Sequence, residues 1–402
     1  MNFSANTITA VNFSANTITA LYPEVLEHLW GMGDAVAPRG QPTRELLHVR
    51  MTLMQPRCRI ITMPGRDLNP FFHLAECLWV LGGRADETWI GQYNSRLKQV
   101  LDDGHRSFHA PYGERLRRWG THAKNATRVP CARDQLLDCY SVLKYDPDSR
   151  QAVMTLWNPE WDHPGVVTKD RPCNVAVTFK LRDGRLWMSV FNRSNDFVFG
   201  YSCTNVIQFS VLQEVLATWL GVQPGQYTHY SDSLHLYERD PFSKDDNPRT
   251  PAALAGVRAA NAATGDTWRV LEPFPLYEYV SPSPMTITDP RETGETVFWL
   301  LRTYAPNPPP GGLELRVSDP FLSTVEHALA AHRMYKCGHA PPEVVLEELA
   351  LIPALDWRVE CARWMVQRLR KRHAPGEQQT ALWARMVACP AATLQYVMYG
   401  EV

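Results

Sequence analysis

No apolar run in the 402-residue sequence approaches the roughly 18 residues that a membrane-spanning helix needs. A membrane-embedded helical protein is therefore not expected. Charge of one sign is also missing: 41 Lys and Arg stand against 42 Asp and Glu, a formal net charge of -1. Without a global basic field, binding to nucleic acid is not favoured. No CxxC pair occurs, and no histidine pair suggests a metal site, so no metal is expected. The nine cysteines are odd in number and lack pairwise spacing, and no signal peptide precedes them. That pattern argues for reduced thiols in a cytoplasm rather than a disulfide framework. What is present is ordinary for a globular chain: 45% hydrophobic and 21% charged residues, enough for one large domain or two average ones.

The chain opens on a direct repeat, Asn2 to Ala10 recurring as Asn12 to Ala20. Two copies are too few for a solenoid, and residues 1–20 are expected to be a disordered leader outside the fold. Residues 21–283 carry mixed helix and strand signals. A helix is expected over Leu21 to Met32, and strands over Val49 to Leu53 and Ile60 to Met63. A further helix starts at Asn69-Pro70 and stops at Gly82-Gly83. Prolines then cluster over residues 284–318, which reads as a connection, and from 319 to 402 the pattern is helical. Arg368, Arg370, Lys371 and Arg372 form a basic cluster there, read as a solvated helix end or as a surface for RNA.

The stretch carrying most chemistry is Arg171-Pro172-Cys173-Asn174 together with Phe191-Asn192-Arg193-Ser194-Asn195-Asp196. Between them apolar residues alternate around Asp183-Gly184, the signature of a hairpin with a type I′ turn. A hairpin returns its ends to one edge, which makes Cys173 a neighbour of Arg193 and Ser194. A guanidinium beside a thiol stabilises the reactive thiolate, and the clustered donors of Arg and Ser suit a phosphate. The competing reading is a buried structural cysteine.

Other candidates surround this stretch. Arg39, in the turn-rich segment Pro38 to Glu45, belongs either to a solvated loop or to an arm that closes on an anion. Glu76 is the only acid on its apolar helix; buried, it can hold water and move protons with a raised pKa, and exposed, it is a polar-face residue. His235 and Tyr237, two apart, face the same way on a strand and can aim at one sugar hydroxyl, or sit at the surface.

These pieces, in this order, resemble the thymidylate synthase family. The matching set is Arg39; Glu76-x-Leu-Trp-x-Leu; Pro111-Tyr112-Gly113; Asp134-Gln-Leu with Ser149-Arg150; Trp157-Asn158-Pro159; Pro172-Cys173; Arg193-Ser194-x-Asp196 with Gly200; Asn205; and His235-x-Tyr237. It covers about half of the chain.

The resemblance implies an α/β (α+β) fold, a large twisted mixed sheet flanked by helices, here followed by a C-terminal helical extension. It implies a cytoplasmic homodimer, in a bacterium or a phage-infected host, in which Arg150 is donated to the partner's site. It implies a pyrimidine nucleoside monophosphate as substrate and 5,10-methylenetetrahydrofolate as one-carbon donor. Carried onto this sequence, Cys173 adds to C6 of the ring, and Arg39, Arg193, Ser194 and the partner copy's Arg150 hold the phosphate. Asn205 reads the base, and His235 and Tyr237 hold the ribose. Glu76 organises water and proton transfer, Tyr112 helps remove the C5 proton, and Asp196 contacts the pterin.

Departures from the family pattern point to one branch of it. Asn174 stands where the methylating members have His, Gln151 where they have a second Arg, and Asn192 where they have Gln. No tryptophan lies between Trp89 and Trp119, where those members carry a pair that shields the exocyclic methylene from water. Fewer aromatic walls favour water over hydride, so hydroxymethylation of dUMP is expected, with thymidylate synthesis and dCMP or CMP hydroxymethylation as alternatives. Uracil is favoured if Asn205 reads the base, which needs one extra residue in the loop Tyr201 to Thr204; otherwise Thr204 takes that position.

Overall fold

A computed structural model describes residues 11–63, 66–120, 132–239, 274–308 and 317–399. Its centre is a mixed sheet of eight strands: β1 (Asn12–Ala15), β2 (Asp34–Val36), β3 (Thr43–Leu53), β4 (Val153–Thr155), β5 (Asn174–Arg182), β6 (Arg185–Asn192), β7 (Asn195–Asp196) and β8 (Gln223–Tyr237). The order is β1-β3-β8-β6-β5-β4, with β2 beside β3 and β7 beside β8. β1 on β3, β6 on β8 and β7 on β8 are parallel; the remaining pairs are antiparallel.

The expected hairpin is β5-β6. Its register runs Arg182 opposite Arg185 to Asn174 opposite Asn192. Asp183 (φ 52°) and Gly184 (φ 66°) are both left-handed, as a type I′ turn demands. Helices α1 (Ile18–Met32), α2 (Pro70–Leu81) and α6 (Val206–Leu220) bury their apolar residues on one side of the sheet. Between β and α elements lie the short α3 (Glu87–Ile90), α4 (Tyr112–Arg117) and α5 (Gln135–Tyr145). The register places Val153, Thr178, Ser189 and Thr228 on the other face, together with Trp187, Phe191 and Tyr230. There Val153, Trp187, Phe191 and Tyr230 are exposed, and the Phe191 and Tyr230 rings stack 5.0 Å apart.

Several expectations are corrected. The second repeat copy is part of the fold: Asn12–Ala15 pairs with Arg50 to Leu53, and the Thr17 side chain caps α1 by accepting from Ala20 N. Long-range pairing supplies what the local sequence does not announce. The first copy lies outside the described residues. Ile60 to Met63 is buried but not a strand; the Thr62 amide binds the Thr19 hydroxyl at 3.1 Å and the Thr62 carbonyl accepts from Phe274 N at 2.9 Å. Within the proline-rich connection, Pro290–Thr303 is a helix. Pro290 occupies its first position, where a missing N–H costs nothing, and the Asp289 carboxylate caps it.

The C-terminal helices Pro320–Cys337, Pro342–Ala350, Leu355–His373 and Glu377–Met386 follow the expected pattern. They share the core of the sheet domain: Phe71 of α2 packs against His332 and Trp364, with centroids 5.2 and 5.1 Å apart. Arg368 of the basic cluster pairs with Asp67 at 2.6 Å, and Arg372 donates to the Tyr335 carbonyl at 2.9 Å.

Candidate active site

A cavity of about 780 Å³ opens over the hairpin ends, towards the upper end of the range for small-molecule sites. Ten of the eleven expected site residues line it: Arg39, Glu76, Tyr112, Cys173, Arg193, Ser194, Asp196, Asn205, His235 and Tyr237. Arg150 does not. It is exposed, in the turn before β4 near Lys180, at the far edge of the sheet.

Cys173 immediately precedes β5, and Arg193 and Ser194 follow β6. The Arg193 amide donates to the Cys173 carbonyl at 3.0 Å, and its Nε donates to the Pro172 carbonyl at 2.9 Å. Its guanidinium lies 5.5 Å from the Trp157 ring. The thiol differs from expectation. Removal from water pushes its pKa up, although the cations of Arg193 and Arg39 pull it down; Asp170 and Asp196 add to the rise. Desolvation disfavours the thiolate more than the guanidinia favour it. Tyr112, whose own pKa burial raises, sets its hydroxyl 3.4 Å from the Asn174 amide that donates to it.

Glu76 reaches the cavity from α2. Burial pushes its carboxyl up to about 8, opposed by a hydrogen bond from Gln208. Its Oε2 has no hydrogen-bond partner among the described residues, which leaves the second oxygen for solvent or substrate. The surface-residue reading of Glu76 is thereby set aside. Gln208 was not anticipated; it lies one helical turn beyond Asn205.

His235 and Tyr237 stand side by side on β8, edge to face with centroids 5.1 Å apart. Burial lowers the His235 pKa and raises that of Tyr237, which Arg39 counters by hydrogen bonding. Arg39 itself adopts φ 56° in the turn Pro38–Gly40, a left-handed conformation that it shares with Asp183 of the hairpin turn. Beside this pair, Glu45 accepts from the Ser233 hydroxyl at 2.5 Å, and both line the cavity. The β3–β8 register, Glu45 opposite His235, is the signal that would have placed Glu45 there.

Tyr201 to Asn205, expected as a loop, belongs to a π-helix over Phe197–Asn205 that runs into α6. Such turns close i to i+5 and so take up one more residue than an α-turn. Asn205 lies in the cavity, its Oδ1 accepting from Asn195 Nδ2 at 3.1 Å; Thr204 lines the cavity too, its hydroxyl turned back onto the Gly200 carbonyl at 3.2 Å.

The wall over residues 94–100 is built by Asn94, Arg96, Leu97 and Val100. Aromatic character comes from elsewhere: Trp79 and Phe108 also line the cavity, with ring centroids 5.8 Å apart. This apolar strip, in the same cavity as the half-buried Asp196, suits a flat heteroaromatic ring.

The family model for thymidylate synthase matches residues 21–267. The chain is 46% identical over 221 residues to a deoxyuridylate hydroxymethyltransferase of Bacillus phage SP01, covering 55% of this chain and 57% of that relative. The chain thus spans little more than half the length of that protein. It is 34% identical over 325 residues to a protein of the same name from Pseudomonas phage M6, covering 80% and 83%. A putative thymidylate synthase of Methanothermobacter marburgensis is 31% identical over 202 residues, covering 50% and 80%.

Proposed function

Because the chain belongs to the thymidylate synthase family, we propose that it moves a one-carbon unit from 5,10-methylenetetrahydrofolate to C5 of dUMP and releases 5-hydroxymethyl-dUMP. The observation that supports the reading is one cavity lined by a thiol, Arg39, Arg193, Ser194, the Asn205 amide and the His235–Tyr237 pair. The folate supplies the methylene carbon. Everything else falls to this chain's residues.

Arg39, Arg193 and Ser194 bind the phosphate, which places C6 of uracil over Cys173 without spending that binding on the reacting carbons. Sulfur bonds to C6, and C5 becomes the nucleophile that takes the carbon. Glu76, neutral near pH 7 because its pKa is about 8, holds a proton and an ordered water at the ring. Tyr112 assists removal of the C5 proton. Asp196 and the Trp79–Phe108 strip hold the pterin. Once tetrahydrofolate has left, water adds to the exocyclic methylene and the C6–sulfur bond breaks. No redox change occurs. Leu97, Val100 and Asn94 leave that carbon open to water where bulky aromatics would exclude it.

The catalytic unit extends to about residue 283, and the helices beyond it brace α2. Two copies pack back to back through the exposed face carrying Trp187, Phe191 and Tyr230, and Arg150 crosses to the partner's phosphate. An uncovered aromatic sheet face supports this arrangement. The phage host's cytoplasm is the fitting compartment.

Incubation with dUMP and methylenetetrahydrofolate, followed by mass spectrometry, tests the reading. A product heavier than dUMP by CH2O, with tetrahydrofolate released, is expected. A methyl product with dihydrofolate formed overturns it in favour of thymidylate synthesis, which the Trp79–Phe108 strip would then serve as a shield.

A further inference from the structure

A chain of buried amides and one imidazole runs beneath the base-facing residue. It involves residues that none of the roles above uses: Asn174, Asn192, His229 and Asn195. Its hydrogen bonds leave each member one orientation.

The starting point is the Tyr230 backbone carbonyl, which can only accept. Asn192 Nδ2 lies 2.9 Å from it and is therefore the amino end of that side chain. Asn192 Oδ1 correspondingly accepts from Asn174 Nδ2. The same Asn192 Nδ2 lies 2.6 Å from His229 Nε2, which must be the unprotonated nitrogen. The imidazole is neutral, since burial drives its pKa down to about 3. Its proton is then on Nδ1 and is donated to the Tyr227 hydroxyl at 2.7 Å. An unprotonated Nε2 repels an oxygen, so Asn195 turns its Nδ2 to it at 2.8 Å and shares the single lone pair with Asn192. The amino group's second hydrogen goes to Asn205 Oδ1 at 3.1 Å. Gly200 makes room for this pose, because a Cβ there would stand 2.5 Å from Asn195 Oδ1.

Asn205 is thus held with its oxygen towards Asn195 and its amino group away. An asparagine free to turn by 180° offers donor and acceptor in either order. It serves the O4/N3–H edge of uracil and the N4–H2/N3 edge of cytosine equally well. A fixed amide serves one of them. We propose that His229 and Asn195 are positioning residues that lock the Asn205 amide and thereby make the site select a uracil over a cytosine nucleotide. The assignment to uracil rests on the dUMP reading above; the lock itself rests on the bonds just described.

The test is calorimetric titration of the full chain with dUMP and with dCMP, for wild type, Asn195→Ala, Asn195→Asp and His229→Ala. Wild type is expected to prefer dUMP. Asn195→Ala and His229→Ala free the amide and compress the dUMP/dCMP affinity ratio by on the order of tenfold. Asn195→Asp, which only accepts, draws the Asn205 amino group inward and shifts the ratio further towards dCMP. If His229→Ala does not fold, the Asn195 pair carries the test. Variants that weaken both nucleotides alike, with the ratio unchanged, show a merely structural network and overturn the inference while dUMP recognition stands. Wild type that prefers dCMP, or binds neither, overturns the dUMP reading and the inference with it.

Discussion

Arg193 closes the hairpin on Cys173: its amide holds the cysteine carbonyl at 3.0 Å while its Nε holds the neighbouring Pro172 carbonyl at 2.9 Å. One residue therefore holds the backbone of Cys173 and supplies the cation that most lowers its thiol pKa. Losing the guanidinium removes a charge-assisted phosphate contact, worth roughly 1.5–3 kcal/mol, and the largest influence lowering the thiol pKa. Arg193→Ala should raise KM for dUMP by about 10–100-fold and shift the ascending limb of kcat, where the thiolate forms, upward in pH. Steady-state kinetics across pH 6–10 reads both; an unchanged limb would mean the sulfur does not feel this cation.

Glu76 is neutral in the folded protein up to about pH 8 but ionises in the unfolded chain from pH 4.5. The native state thus binds the extra proton, and stability is lost as pH rises between those values, by roughly 3–5 kcal/mol over the interval. Glu76→Gln removes this dependence. Thermal melts should show the variant gaining on wild type steadily from pH 5 to pH 9, while turnover falls by about 10²–10⁴-fold through loss of the proton-handling group. Parallel melting curves across that range would contradict the burial of this carboxyl.

Cys173→Ala should cost at least ~10³-fold in turnover, as removal of a covalent nucleophile does, with dUMP still bound. Arg150→Ala should be impaired for a different reason, since Arg150 lies outside its own chain's cavity. Mixed and re-assembled, the two inactive variants place an intact Cys173 beside an intact Arg150 in one of the two sites of each hybrid. Activity should return on mixing. Its failure to return would remove the shared-site dimer.

What the sequence disclosed and what it withheld divide along one line. The hairpin was legible because Asp183-Gly184 and the alternation around it are local, and α2 because Asn69-Pro70 caps and starts a helix at any address. The motif order brought together residues that line one cavity: Cys173, Arg193 and His235 at or beside strand ends, and Glu76 from within α2. Features set by distant partners stayed hidden. Asn12–Ala15 becomes a strand only because β3 offers it an edge, and Arg39 takes φ 56° only in its folded turn. The link from Tyr230 to Asn205 joins four elements that no spacing rule connects. The π-helix over Phe197–Asn205 was hidden as well, since no local residue pattern announces i to i+5 closure.

The proposed reaction makes the wall over residues 94–100 the control on which nucleophile reaches the exocyclic carbon. Leu97 is half-buried against the core and borders the cavity, so an indole there projects over the reacting ring with little cost to packing. Leu97→Trp should exclude water from the methylene and lengthen the time in which hydride transfer competes. Mass spectrometry of the product should show a methyl fraction absent from wild type, with dihydrofolate formed in equal amount. A variant that stays active and makes only the hydroxymethyl nucleotide would show that water enters from another side, and that this wall does not set the outcome.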